Sequence, residues 1–151
     1  MKNLIKYVLC LLFVGAYAQE SEETAVQKTI ESFFEGFHRQ DSMRIKEVVS
    51  DDLVMRRISI DSSGTASIRK QGFADFLQAI VSIPKSTQFK EIIKSYSIQI
   101  DGPMAHAWTP YEFIRNGEFS HCGVNSFQLF KDGENWKIIY ILDTGRKDGC
   151  P

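Results

Sequence analysis

Glu112 and His121 carry a carboxylate and an imidazole, two groups that commonly move protons near neutral pH. Between them lies Asn116-Gly117, and Asn-Gly between two strand-like segments indicates a two-residue hairpin turn, because both turn positions need a positive φ. Counting back from that turn, Glu112 lies opposite His121, and residues opposite one another share a face of the sheet. If the protein is an enzyme, this spacing predicts a carboxylate–imidazole pair that exchanges a proton with a bound molecule.

The same register adds polar and aromatic side chains to that face. A second two-residue turn, at Gly133-Glu134, places Tyr140 opposite Phe127. Hydrogen-bonding groups buried without partners are costly, so their mixture with aromatic rings on the helix-facing side favours a pocket over a solid core. The predicted pocket residues are His106, Trp108, Asn125, Phe127 and Tyr140.

Each of these residues also has a structural interpretation. Glu112 and His121 fit a solvated cross-strand pair near the end of the hairpin, and His106 fits a hydrogen-bonded structural histidine. The aromatic members fit pocket walls or core. A β-bulge near Pro110 would move part of the set to the other face. Substitution of Glu112 or His121 separates the interpretations, because only catalysis predicts lost turnover with unchanged ligand affinity.

The opposite face of the sheet is also apolar on this count. An antiparallel sheet with one solvated side should carry polar residues there, and this face carries too few. A second copy of the chain is the simplest cover, so the sequence predicts a homodimer through the outer sheet face. The residues assigned to this face are Tyr111, Phe113, Cys122, Val124, Gln128, Phe130, Ile139, Ile141 and Asp143.

Hydrophobic periodicity indicates the elements that position these residues. Apolar residues recur at helical spacing in three segments of the first half, at about 20–37, 42–49 and 72–83, and Asp41 is expected to cap the second. Strand signals separated by turns occupy residues 53–60, 65–69, 92–100, 104–115, 118–131 and 136–144. The sequence therefore predicts an α+β domain, in which three helices from the N-terminal half pack on a curved, mainly antiparallel sheet that encloses a pocket.

Two adjacent arginines in the first predicted hairpin are candidates for contact with an anionic ligand. These are Arg56 and Arg57. Because adjacent strand residues point in opposite directions, we expect at most one of them to face the pocket.

Residues 1–18 have the features of a signal peptide. Lys2 and Lys6 accompany an apolar run over residues 7–14, and Ala16-Tyr17-Ala18 has the small-x-small pattern that signal peptidase cuts. The run is shorter than the roughly 20 residues that cross a membrane, and no later stretch comes close. We expect cleavage after Ala18, one domain over residues 19–151, a periplasmic or secreted location, and no membrane contact after cleavage.

Of three cysteines, Cys10 leaves with this leader and Cys122 and Cys150 remain. In an oxidising compartment these two can form a disulfide that ties down the tail. A reactive thiol has less support, because no run of cations lies nearby to lower a thiol pKa. Metal binding has less support still, because the spacing matches no common zinc pattern, and we expect no metal site.

Composition excludes several classes of partner. The 18 Lys and Arg residues balance 19 Asp and Glu residues, so there is no broad basic field to hold nucleic acid, and we expect none to bind. Eleven phenylalanines suit a packed core or an apolar cavity. No glycine-rich phosphate loop is present, so we expect no nucleotide cofactor and assign no cofactor of any kind.

The order of helix, helix, hairpin, helix and long strands resembles the nuclear transport factor 2-like superfamily. The resemblance is carried by residues 127–131 (FQLFK), by Gly133, and by residues 136–138 (WKI). Residues 121–127 (HCGVNSF) look closest to exported bacterial proteins called lumazine-binding-like. The resemblance implies a cone-shaped fold with a cavity. Members include ketosteroid isomerases, polyketide cyclases, dehydratases, noncatalytic binders and dimerisation modules, and neither the isomerase nor the dehydratase residue set matches this chain residue by residue.

These observations lead to three alternatives for function. The first is an exported, dimeric protein that binds a small apolar or aromatic molecule in the cavity. The second is an enzyme of isomerase, cyclase or dehydratase type, in which Glu112 and His121 exchange a proton while Tyr140 or Asn125 stabilises developing negative charge on oxygen. The third is a noncatalytic scaffold with a filled core. An open hollow at the predicted pocket favours the first two over the third.

Overall fold

The computed structural model describes residues 21–150, so the predicted signal peptide and its cleavage site lie outside the described residues. Within these residues, three helices and seven strands follow one another. In order they are α1 (Glu22–Arg39), α2 (Ser42–Glu47), β1 (Val49–Ile60), β2 (Ala66–Gln71), α3 (Phe73–Val81), β3 (Phe89–Ile93), β4 (Ser97–Asp101), β5 (Met104–Arg115), β6 (Glu118–Asp132) and β7 (Asn135–Thr144).

The helices begin and end where their capping residues place them. The Ser21 side chain accepts the Thr24 N–H at the start of α1, and Gln40 ends that helix in the left-handed conformation. Asp41 caps α2 by accepting two backbone N–H groups, as the sequence predicts. One stripe of α1 is buried against the sheet, including the fully buried Val26 and Ile30. These contacts hold α1 across the concave side of the sheet.

All seven strands form one curved sheet with the order β2-β1-β7-β6-β5-β3, and β4 also pairs with β5. The strands pair antiparallel except that β1 runs parallel to β7. Asn116 and Gly117 both have positive φ and form the predicted turn, and Asp132 pairs with Asn135 across the second predicted turn. The α+β architecture, with three helices against a mainly antiparallel sheet, is therefore confirmed.

Two β-bulges change the register that the turns alone predict. Between β5 and β6, Ile114 pairs with Phe119 but Phe113 pairs with His121, so Ser120 is an extra residue. Between β6 and β7, Gln128 pairs with Tyr140 but Leu129 pairs with Ile138, so that Ile139 is extra. Each extra residue reverses the faces of every residue beyond it relative to the neighbouring strand.

The predicted pairings beyond these bulges are therefore wrong. Glu112 lies opposite Cys122 and not His121, and Phe127 lies opposite Ile141 and not Tyr140. A bulge near Pro110 would have moved part of the set, but the bulge between β5 and β6 falls at Ser120, close to the turn.

We call the helix-facing side of the sheet the inner face and the other side the outer face. Four residues assigned to the outer face lie on the inner face instead, because of the two bulges: Tyr111, Phe113, Ile141 and Asp143. The outer face carries other exposed apolar side chains, among them Met104, Trp108 and Phe130. Among residues 21–150, no helix is both long and apolar enough to cross a membrane.

Candidate functional site

A cavity of about 250 Å³ lies between the helices and the inner face of the sheet. Its residues come from α1, α3 and six of the seven strands, so most of the fold contributes to it. One part of the wall is aromatic and aliphatic, and the other part is polar. The residues that line it are Phe33, Phe34, Phe37, Met55, Arg56, Arg57, Gln71, Phe76, Glu91, Tyr111, Phe113, His121, Asn125, Phe127, Ile141 and Asp143.

Phenylalanine rings form the apolar part of the wall. Phe33, Phe34 and Phe37 lie on one side of α1 because their spacing matches the helical repeat. The Phe33 and Phe37 rings each stack on Phe76 of α3, with ring centres 6.1 Å apart in both cases. Phe127 meets Phe33 and Phe34 edge to face, at 6.1 and 5.9 Å. Such contacts stabilise a ring arrangement beyond the area that it buries.

A row of polar side chains crosses the sheet at the other part of the wall. Arg57 on β1 lies opposite Asp143 on β7, and its Nη1 donates to Asp143 Oδ2 at 2.7 Å. Asp143 lies in turn opposite Asn125 on β6. The Asn125 Nδ2 donates to Glu91 Oε1 at 2.6 Å, which brings in β3. We call these four residues the polar row.

Burial raises the pKa of Glu91 to about 7, and the negative charge of Asp143 adds to the rise, while Asn125 and Arg57 oppose it. Burial also raises the pKa of Asp143, and here Arg57 opposes the shift. The Glu91 carboxyl therefore exchanges its proton near neutral pH, which is the range in which a side chain can act as both acid and base.

His38 supports the Glu91 backbone from α1. Its Nε2 accepts the N–H of Glu91 at 2.9 Å, so the ring is neutral with its proton on Nδ1. Burial lowers the pKa of His38 to about 4, and the charge of Lys90 acts in the same direction. The hydrogen bond fixes the position of β3, and with it the Glu91 side chain.

Tyr111 and His121 complete the polar part of the wall. The Tyr111 hydroxyl donates to the Thr144 carbonyl oxygen at 2.8 Å, and burial raises its pKa. The His121 ring stacks on Phe113 with centres 4.9 Å apart and meets Tyr111 edge to face. Burial lowers the pKa of His121, helped by the charges of Arg57 and Lys147. At neutral pH His121 is thus a neutral group that can donate or accept a hydrogen bond.

Two glycines let the C-terminal segment pass close behind this wall. A Cβ on Gly123 would lie 1.9 Å from the Thr144 carbonyl oxygen, and a Cβ on Gly145 would lie 2.0 Å from Arg57 Nη2. Beyond Gly145, Arg146 forms a β-bridge with Cys122. A disulfide between Cys122 and Cys150 fastens the tail to β6. The close approach of Thr144 to Tyr111 therefore requires glycine at position 123.

The structure brings three of the seven predicted site residues to the cavity and separates the other four from it. His121, Asn125 and Phe127 line it. His106, Trp108, Glu112 and Tyr140 lie on the outer face, because β5 and β7 are out of phase with the prediction. Glu112 contacts Lys94 at 2.6 Å, and His106 Nε2 contacts the Ser126 hydroxyl at 3.0 Å. The predicted Glu112–His121 pair is therefore not formed.

Sequence reasoning assigned no role to Glu91 and His38, and it placed Tyr111 and Asp143 on the wrong face. Alternation in β3 could have revealed Glu91, because Phe89, Glu91 and Ile93 share a face and the other two are apolar. Arg57 is the arginine of the predicted pair that contacts Asp143, although Arg56 also borders the cavity.

Within the described part of the chain, no group of three His, Cys, Asp or Glu side chains is placed to hold a metal ion. The polar row instead offers a carboxyl group near its midpoint of titration, an amide and an ion pair. This arrangement can hydrogen-bond a small molecule and exchange a proton with it, next to rings that contact an apolar body.

No protein-family model matches the chain, and no curated protein matches it in sequence. Solved structures do match in fold. A nuclear transport factor 2-like (NTF2-like) protein from Cytophaga hutchinsonii superimposes with a TM-score of 0.65 at 14% identity, over 84% of this chain and 100% of the other. The beta subunit of a proposed aromatic-ring-hydroxylating dioxygenase from Novosphingobium aromaticivorans gives 0.66 at 12% identity, over 83% and 89%.

A third match is a proposed dehydratase of the NTF2-like family from Streptomyces avermitilis, with a TM-score of 0.57 at 11% identity, over 82% of this chain and 95% of that one. These identities are too low to transfer an activity, and what they share with this chain is architecture. The chain therefore has the cone-shaped α+β fold of the NTF2-like proteins.

Proposed function

We propose that this protein binds a small molecule with an apolar body and a polar head group in the cavity between α1, α3 and the sheet. The observation that carries the proposal is the division of the cavity wall into phenylalanine rings on one side and the polar row on the other. Ligand sites are typically hollows of this kind, mostly apolar with a few convergent polar groups. In a scaffold with a filled core, the half-buried carboxyl groups of Glu91 and Asp143 would not be expected beside open space.

Filling the cavity tests this proposal. Ile141 lines it, whereas the next residue, Leu142, belongs to the outer face. Ile141→Phe should abolish binding, and Leu142→Phe is the matched control that should leave it unchanged. Native mass spectrometry of protein purified from its source would reveal a retained molecule, and thermal shift with small aromatic compounds would find a substitute.

The proposal fails if the wild type carries no retained molecule and no compound raises its melting temperature. It also fails if Ile141→Phe binds as well as the Leu142→Phe control while both variants keep the wild-type circular dichroism spectrum.

Proton transfer by Glu91 is a second candidate function. It is favoured by one observation: a carboxyl group with a pKa of about 7 lies in the cavity wall, held by Asn125. Glu91 thus takes the role first assigned to Glu112, while His121 remains in the wall. Incubation of the bound molecule with protein in D₂O should incorporate deuterium at carbon, and Glu91→Gln should slow this at least about a hundredfold. Binding without deuterium incorporation would refute this second function and leave the first.

The same proposal includes export and dimerisation. Residues 1–18 support export through the leader pattern, and the likeness of residues 121–127 to the exported proteins called lumazine-binding-like supports it as well. His121, Asn125 and Phe127 of that segment line the cavity. Light scattering after size-exclusion chromatography tests the dimer. Trp108→Asp, on the exposed outer face, should give a monomer if that face is the interface.

A further inference from the structure

Glu91 and Asn125 offer a ligand two neighbouring hydrogen-bond acceptors at the polar row. Arg57 is engaged by Asp143, and the Tyr111 hydroxyl gives its proton to the Thr144 carbonyl. The Asn125 amide donates to one oxygen of Glu91. This leaves the second carboxyl oxygen of Glu91 and the amide oxygen of Asn125 open to a ligand, both in the wall of the cavity, while Arg57 and His121 keep N–H donors beside them. A ligand that brings N–H donors matches these groups.

The charges around Glu91 also favour a ligand that donates hydrogen bonds, and specifically one with a positive charge. From β1 and β7, Arg57 and Asp143 cancel one another. From α1, His38 is neutral, because its Nε2 accepts the Glu91 backbone N–H. Lys90, next to Glu91 on β3, is exposed.

Arg56 of β1 also borders the cavity, but it is exposed and lies opposite Leu142, a residue of the outer face. Two more titratable groups, from β5 and β6, line the cavity beside Glu91. They are Tyr111 and His121, and both are neutral at pH 7. An ionised Glu91 therefore adds one negative charge that no cation in contact with it within residues 21–150 balances. A buried charge without a partner is costly, and a cationic ligand would supply that partner.

The aromatic part of the cavity wall also suits a ligand that carries an ammonium group. The cavity wall is rich in phenylalanine rings, whose faces carry the negative side of the ring quadrupole and attract ammonium groups within about 6 Å. A cavity of about 250 Å³ is smaller than the roughly 300–1,000 Å³ of pockets for drug-sized ligands, so the molecule is small. An anionic head group, in contrast, would meet the carboxyl groups of Glu91 and Asp143.

We infer that the ligand is a small protonated amine with an aromatic or alicyclic body, whose ammonium group donates to Glu91 and Asn125 while its body lies among the phenylalanine rings. The inference rests on the proposed ligand-binding function and names the class of ligand. On binding, the ammonium keeps its proton and a protonated Glu91 releases one to solvent. The affinity for an amine should therefore rise as the pH increases from 6 to 8.

Three probes that differ mainly in the head group test the inference: 2-phenylethylammonium, 2-phenylethanol and 3-phenylpropanoate. Titration calorimetry at pH 7 should give the ammonium an affinity about tenfold or more above the alcohol and the carboxylate, since hydrogen bonds to charged groups are the strong ones. Titrations in buffers of different ionisation enthalpy should show net proton release with the ammonium and none with the alcohol.

Glu91→Gln removes the charge and keeps an oxygen that can accept from Asn125. It should lower the ammonium affinity about tenfold and leave the affinity for the alcohol unchanged. Glu112→Gln is the matched control, since Glu112 is a carboxylate of the outer face paired with Lys94, and it should change neither affinity.

The outcomes separate this inference from the function on which it rests. Equal affinity for ammonium and alcohol, or proton uptake with the alcohol, overturns the charge requirement and leaves a binder of neutral molecules. Tighter binding of the carboxylate overturns it as well. If none of the three binds and Ile141→Phe behaves like the wild type in every assay, the proposed function fails too. Proton release is measured on the wild type, so the inference remains testable if Glu91→Gln does not fold.

Discussion

Glu91 and Glu112 occupy neighbouring paired strands, yet they lie on opposite faces of one sheet. The outer-face residue, Glu112, forms an ion pair with Lys94 at the surface. The inner-face residue, Glu91, hydrogen-bonds Asn125, and burial raises its pKa to about 7. The two side chains are chemically identical, so the difference arises from burial and from the charges nearby. The face of the sheet, and not the residue type, decides which carboxyl group is suited to chemistry.

The largest expected difference between the faces is in packing. Phe127 is fully buried on the inner face, where it contacts the rings of Phe33 and Phe34, whereas Trp108 on the outer face is 49% exposed. Phe127→Ala should lower the free energy of unfolding by about 4 kcal/mol, because it leaves a cavity, and Trp108→Ala by less than about 1 kcal/mol. Urea denaturation at low protein concentration measures both. Equal losses would contradict the assignment of inner and outer faces.

The second largest loss of stability is expected where two backbone segments pack closely behind the inner face. A Cβ at Gly123 meets the Thr144 carbonyl oxygen at 1.9 Å, so Gly123→Ala must move backbone, and we expect a loss of about 3 kcal/mol. At Gly72 the Cβ meets the flexible end of the Asp75 side chain at 2.6 Å. Gly72→Ala is the control and should lose less than about 1 kcal/mol in the same denaturation series. A stable Gly123→Ala variant would show that the tail can move away without cost.

The third effect is a dependence of stability on pH, which comes from the titration of Glu91 on the inner face. Its pKa is raised from 4.5 to about 7, so between these values the folded chain holds a proton that the unfolded chain has lost. Stability contributed by Glu91 is therefore present below pH 4.5 and lost as the pH rises through 7. Relative to the wild type, Glu91→Gln should gain roughly 2 kcal/mol between pH 4.5 and 8, because it cannot ionise. Parallel stability curves would refute the raised pKa.

His38 should make stability depend on pH with the opposite sign. Its pKa is lowered from 6.5 to about 4, so between these values the unfolded chain takes up a proton that the folded chain rejects, and stability falls as the pH falls. His38→Gln keeps an acceptor for the Glu91 N–H and should gain roughly 1–2 kcal/mol over the wild type between pH 6.5 and 4. Thermal melts across that range give the comparison. A wild type that shows no acid weakening relative to this variant would contradict a neutral His38.

The smallest effect is expected on the outer face. Lys94 and Glu112 are both partly exposed, and surface ion pairs contribute little. Glu112→Gln should change stability by less than about 0.5 kcal/mol at 150 mM salt, with no change in the pH dependence that Glu91 produces. A loss of several kcal/mol would contradict the position of Glu112 in a solvated surface ion pair.

Local signals in the sequence predicted most of the fold. The N-cap at Asp41, the helical spacing of the α1 phenylalanines and the turn at Asn116-Gly117 each depend on residues a few positions apart, and all three are confirmed. The strand predicted over residues 92–100 is divided into β3 and β4, which both pair with β5. Pairing partners distant in sequence, such as the parallel β1 and β7, leave no local pattern.

The candidate site was predicted only in part, for a different physical reason. A face assignment holds until the first extra residue, and Ser120 and Ile139 are ordinary residues that carry no bulge signal of their own. The prediction was correct along β6, so His121, Asn125 and Phe127 line the cavity as expected. It was reversed along β5 and β7. Tyr111 and Ile141 therefore line the cavity, whereas the predicted Glu112 and Tyr140 lie on the outer face. Glu91 reaches the site from a fourth strand that the count of the last hairpins did not include.

The fastening of the tail bears on how the protein should be produced. The Tyr111 hydrogen bond to Thr144 and the contact of Gly145 with Arg57 precede the disulfide of Cys122 with Cys150. Glutathione and thioredoxin keep cysteines reduced in the bacterial cytosol, so recombinant material made there would carry this segment unfastened. Compound libraries should therefore be screened against protein folded in an oxidising compartment, with a free-thiol assay on every batch. Compounds rejected with reduced protein should be measured again.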